Sequence, residues 1–255
     1  CQATTEKESS VELVAKDEEV EESNKQEAAE QVEGQKKDLS EEESEQMDKK
    51  DEVVDEVVRL EMTRLLTSKD LKAVYGYMNE QLTTANALTS DHLVQSYLTL
   101  ANEQLFQSGD ALFTEEGYEV QNRIYDVYHA FPKEFIMDYL IIGPDKKTLL
   151  SHLEGSDKAV LQDLFEQGYG MMNLEGSYYP TVDYYELSTF YGGQLGEMTK
   201  TLLQITRNVL LRQTTHEGYL SITPFELMER SLEIEGFVMM YPEMPKVFKD
   251  MLAWE

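Results

Sequence analysis

The 255-residue chain carries 50 Asp and Glu against 22 Lys and Arg, a formal charge of −28 and a pI near 4.4. That balance repels phosphate backbones, and no basic cluster with interleaved aromatics offsets it, which argues against nucleic acid as a partner. A single cysteine, Cys1, rules out an intramolecular disulfide and a multi-thiolate metal site. Stability must therefore come from an apolar core.

Residues 1–50 hold seventeen acidic and seven basic side chains and no aromatic residue. Rich in Glu, Ser, Gln and Lys, this stretch cannot bury enough apolar area to offset chain entropy. Residues 1–51 are expected to form a disordered acidic tether rather than a solvated surface helix. As a flexible coil, fifty residues span on the order of 40 Å, and like charges extend that. Composition changes near residue 52, and 52–255 is expected to form a helical domain.

The opening CQATTEKESS places one Cys before small and polar residues. It resembles the mature N-terminus of the bacterial lipoprotein family. The resemblance implies a diacylglyceryl thioether on Cys1, often with a third chain on its amine, and so an extracytoplasmic domain held at the cell membrane. One acyl chain holds a protein only marginally, whereas two or three hold it durably. The most apolar stretch, 135–142, is interrupted by Asp138 and is far shorter than the roughly 20 residues a spanning helix needs. The lipid on Cys1 is thus the expected link to the membrane.

Past residue 51 the apolar pattern turns helical. Val54, Val57, Val58, Met62 and Leu65 form one stripe, and Val94, Tyr97, Leu98, Ala101 and Leu105 a second, after a polar start at Ser90-Asp91. Val120, Ile124, Val127, Tyr128 and Phe131 form a third. Leu195, Met198, Leu202, Ile205 and Val209 form a fourth. These are core-facing stripes of amphipathic helices. Pro132 is expected to close one helix and open the next, and Pro242 and Pro245 to do the same after Tyr241. Thr223-Pro224-Phe225-Glu226 spells a capping box with Pro at the first helical position. Gly192-Gly193 reads as a helix break. The fold class is all-α, a multi-helix array or bundle.

Residues 168–183, GYGMMNLEGSYYPTVD, depart from that pattern. Two short runs, Met171–Leu174 and Ser177–Val182, flank Glu175-Gly176, which predicts a small β-hairpin or a structured loop. Pro180 restricts the second strand to an edge. The segment EGSYYPTVDYYELSTFYG, followed by SITPFELMERSLEIEGFVMMYPEMPKVF, resembles the C-terminal region of uncharacterised Firmicutes surface lipoproteins. Those carry a similar EG-x-Y-[YF]-P-x-x-DY segment and then a helix ending in a Tyr-Pro step. The resemblance implies a Gram-positive surface location and assigns no catalytic residue.

No metalloprotease, nucleophile-elbow, phosphate-loop or calcium-loop pattern is present, and His92, His129, His152 and His216 are scattered. No cofactor and no metal are expected. The densest local feature is aromatic: Tyr178, Tyr179, Tyr184, Tyr185 and Tyr191 cluster around Asp183. Tyr combines an apolar body with a polar tip, which suits faces that bind sugars or peptides. These six residues are the candidate ligand-binding set; the same rings would equally seal the hairpin onto the helical core. The reading is of a lipid-anchored, non-enzymatic binding module that meets an envelope protein, a peptide or a wall fragment. Two alternatives remain: a carboxylate-dependent wall hydrolase, and a module that captures a lipid or other hydrophobic ligand between helices.

Overall fold

Short polar side chains start five of the ten helices among the described residues. Asp70, Asn86, Thr114, Asp183 and Thr223 each accept a hydrogen bond from the backbone N–H three residues on, which satisfies a donor the first helical turn leaves orphaned. The computed structural model describes residues 55–135, 139–216 and 219–252. Cys1 and the expected tether, 1–51, lie outside the described residues, and a compact unit runs from Asp55 to Glu255.

Helix α1 covers 55–68. It is followed by α2 (Leu71–Gln81), α3 (Ala87–Gly109) and α4 (Glu115–Ala130). Strand β1 (Leu140–Ile141) leads into α5 (Pro144–Ser151) and α6 (Gly155–Glu166), then β2 (Tyr169–Leu174) and β3 (Ser177–Val182). The chain continues through α7 (Tyr184–Tyr191), α8 (Glu197–Leu211), a hairpin of β4 (Thr215–His216) and β5 (Tyr219–Leu220), α9 (Pro224–Met240) and α10 (Lys246–Leu252). The protein is mainly helical, with a small antiparallel sheet in the order β1-β2-β3.

The expected stripes pack as a core with few exceptions. Val58, Met62, Val94, Tyr97, Leu98, Ala101, Val120, Ile124, Leu202, Ile205 and Val209 are buried. Val57 and Phe131 are exposed instead, and Val54 lies outside the described residues. Helix α3 starts at Asn86, four residues before the expected Ser90, because Asn86 supplies the cap and Ser90 is buried inside the helix. Pro132 does end α4, but what it opens is a three-residue 3-10 turn, Pro132–Glu134, rather than a helix.

The hairpin turns at Glu175 (φ +52°) and Gly176 (φ +87°). Two successive positive φ values define the turn whose twist matches paired strands, and Gly tolerates it without a steric cost. Tyr169 pairs with Val182 at one end and Leu174 with Ser177 at the turn. β3 is an edge strand, so Pro180 withholds no hydrogen bond from a further neighbour. The other side of β2 is taken by β1, through Leu140↔Met172 and Ile141↔Met171. Helix α3 packs against β3 and α6 against β2. Two buried phenols bind α3 to this region: Tyr169 donates to the Ala101 carbonyl at 2.7 Å, and Tyr97 to the Gln167 carbonyl at 3.1 Å.

Candidate functional site

Asp183 fills the one-residue joint between β3 and α7, and its side chain is fully buried. Oδ1 accepts the Glu186 N–H at 2.9 Å as the helix cap. Oδ2 accepts the Gly143 N–H at 2.7 Å and pairs with Lys146 Nζ at 2.9 Å. Gly143 closes the turn between β1 and α5, and Lys146 lies in the first turn of α5. The turn before α5 needs Gly143 at φ +50°, and a Cβ there would lie 2.6 Å from the Tyr185 ring. Tyr185 therefore lies directly over the turn, with the Arg207 guanidinium 4.7 Å from its ring centre.

Lys146 also bonds Glu186 and stands 5.9 Å from the centre of the Phe165 ring. Burial by itself lowers the Lys146 pKa, but Asp183 and Glu186 outweigh it and hold the ammonium above its ordinary value. Burial pushes the Glu186 carboxyl up; Lys146 opposes this and the Asp183 charge adds to it, so its pKa is raised. One ammonium thus lies between two carboxylates. An ammonium held in this way is neither a nucleophile nor a base near neutral pH. Asp183, with both oxygens engaged, is not poised for proton transfer. The arrangement acts as a clasp that joins the β1–α5 turn to α7.

The structure divides the candidate tyrosines. Tyr178 is buried, and its backbone N–H and C=O are both bonded to the Gln121 side chain, at 2.7 and 2.9 Å. Tyr179 is 39% exposed on the same strand and packs its ring 4.9 Å from Phe113. Tyr184 is buried in the core. Asp183 and Tyr185 meet at the clasp. Tyr191 is half-buried against the core, and its pKa is raised first by burial and then by the Glu186 charge. Asp183, Tyr185 and Tyr191 are thus grouped around Glu186, whereas Tyr178 and Tyr184 are packing residues and Tyr179 stands apart.

His152 bonds Glu134 at 3.0 Å and stacks on Phe131 at 4.0 Å, and His129 lies 4.0 Å from Tyr125. Among the described residues no group of three His, Cys, Asp or Glu side chains is arranged to hold a metal ion. No described helix is long and apolar enough to cross a membrane.

A second feature was read from the sequence only as a capped helix. α9 has two apolar faces. Arg230, Ile234, Phe237 and Tyr241, spaced at 4, 3 and 4 residues, turn inward. Of these, Phe237 is buried, Ile234 and Tyr241 pack on the core, and Arg230 bonds Thr214 Oγ1 at 2.6 Å and the Arg212 carbonyl at 2.9 Å. At 100° per residue, Phe225, Met228, Leu232 and Met239 fall on the opposite side. They are 61, 50, 58 and 74% exposed. The β4–β5 hairpin, tied to α9 through Arg230 and Thr214, also exposes Tyr219 and Leu220. The signal was present in the sequence: an apolar residue recurs at 225, 228, 232 and 239, out of phase with the inward stripe. No family model matches the chain, and no match was found among curated proteins or solved structures.

Proposed function

We propose that this chain is a lipid-anchored cell-surface protein that works as a non-enzymatic interaction module of the envelope. Support for the anchor comes from Cys1, the sole cysteine, standing before small and polar residues and a long acidic stretch suited to spacing a domain from a bilayer. Support for the binding role comes from α9, whose outer face displays four large apolar side chains to solvent. Helices of soluble domains keep such a face inward, so a second apolar face calls for a second partner. A wall hydrolase needs a carboxylate pair free to act across a cleft, and the carboxylate most embedded among the tyrosines, Asp183, is consumed as a cap and ion-pair partner.

Growth of the native host with a labelled fatty acid tests the anchored reading. Label is expected on the protein and in the membrane fraction, and Cys1→Ser is expected to lose both. An unmodified thiol on Cys1 of the native protein would overturn it. Incubation of the full chain with purified wall material, at several pH values, is expected to release no fragments; release would return the hydrolase reading.

A further inference from the structure

We infer that the outer face of α9 docks a basic amphipathic helix of another protein, an inference that rests on the interaction-module reading and names its partner chemistry. The apolar stripe of Phe225, Met228, Leu232 and Met239 runs the length of α9, roughly 25 Å. It offers the anchor spacing of a helix-in-groove contact, and Met side chains adapt to varied partners. Acids border it on both sides. Glu229 and Glu233 project along one flank and Glu235 along the other, all three exposed. The one basic residue of α9, Arg230, is turned inward to Thr214 and Arg212.

Gly236 lies on this face, between Leu232 and Met239. A Cβ added there would meet nothing within 4 Å. Gly inside a helix is unfavourable relative to Ala, and among the described residues no contact requires it at 236. A small residue within an exposed apolar stripe leaves a notch into which a partner's side chain or backbone fits.

Charge selects among the occupants. A second copy of this chain would bring another −28 and a second set of glutamates. Residues 1–50, with seventeen acids against seven bases, lack the basic excess that this flank attracts. Helices that lie on anionic bilayers carry Lys and Arg beside the apolar face, not Glu. A partner helix with Lys or Arg beside its apolar anchors complements both the stripe and its acidic borders.

The test titrates the full chain against a labelled amphipathic peptide of about 18 residues built from Leu and Lys, read by fluorescence anisotropy. A Leu–Glu peptide of the same pattern serves as the comparison. The Leu–Lys peptide is expected to bind and the Leu–Glu peptide not to bind. Leu232→Ser with Met239→Ser is expected to weaken binding at least about tenfold. Gly236→Ala is expected to raise Tm yet weaken the peptide, whereas Gly76→Ala, at an equally open position on α2, raises Tm and leaves affinity unchanged. A loss of affinity in a stabilised chain is not a folding defect. Parental affinity in both the Ser double variant and Gly236→Ala would overturn the proposal, since the attraction would then be general charge. So would a dimer of the full chain that the Ser double variant dissolves, or binding of phosphatidylglycerol vesicles through the same residues. An unlipidated Cys1 would overturn the anchored reading and leave this titration intact; a flat titration would do the reverse.

Discussion

Asp183 holds three groups from two chain segments: the Glu186 N–H, the Gly143 N–H and the Lys146 ammonium. Its removal leaves Lys146 with Glu186 alone and orphans the Gly143 N–H and the α7 cap N–H, at about 1–3 kcal/mol for each group left unpaired. Asp183→Ala is therefore expected to lower stability by about the sum of these costs in urea unfolding, because cap, turn and ion pair go together. Asp183→Asn keeps an oxygen for the cap and is expected to cost less. Equal losses for the two variants would show that packing volume, not hydrogen bonding and charge, dominates there. The aromatic density around Asp183 was legible in the sequence. Its partners were not: Gly143, before α5, and Lys146, in its first turn, lie 40 and 37 residues upstream and have no periodic relation to it. The division of the tyrosines follows from strand alternation, since Tyr178 and Tyr179 must face opposite sides of β3.

Strand β3 has a free edge, and Gln121 of α4 covers part of it. Its carboxamide accepts from the Tyr178 N–H and donates to the Tyr178 carbonyl, as a neighbouring strand would. Both residues are buried. Gln121→Leu would preserve bulk but leave two buried backbone groups unpaired, at about 1–3 kcal/mol each. A loss of about 2 kcal/mol or more in urea unfolding is expected, with faster amide exchange at Tyr178. Unchanged protection of that amide would show that water replaces the carboxamide without cost. Elements with a repeating signal were readable in advance. The four helical stripes lie largely on α1, α3, α4 and α8, although Leu195 precedes α8, Phe131 follows α4 and Val54 lies outside the described residues. The Glu175-Gly176 turn and the Thr223–Glu226 capping box appear where their residues place them. Strands β1, β4 and β5 were not, because two residues cannot show alternation. β1 takes its pairing from β2, a neighbour about thirty residues on. The start of α3 was misplaced for a related reason: Ser90 and Asp91 look like a polar cap, but Asn86 lies one turn earlier and takes the role.

At the scale of the whole molecule, the apolar core also encloses phenols, and Lys146 lies buried at its edge, groups whose protons the folded state retains. Burial raises the Tyr97 pKa well above its usual value, raises that of Tyr75 and pushes Tyr169 up to about 12. Lys146 is also raised, since its two carboxylate neighbours outweigh burial. Each group holds its proton more tightly folded than unfolded. Stability from this source is thus complete below the unfolded values, near pH 10, and is lost as pH climbs through the folded ones. For Tyr169 alone, the rise to about 12 corresponds to roughly 2–3 kcal/mol. The losses add to self-repulsion in a chain that already carries −28. Stability measured by urea is therefore expected to fall steeply above about pH 10, with tyrosinate absorbance from the buried rings appearing together with loss of helical circular dichroism. Tyr97→Phe with Tyr169→Phe removes two hydrogen bonds, to Gln167 and Ala101, and is expected to lower stability at neutral pH while flattening its decline in alkali. A decline as steep as that of the parent chain would assign the alkaline limit to the groups left in place, surface charge, Tyr75 and Lys146, rather than to Tyr97 and Tyr169.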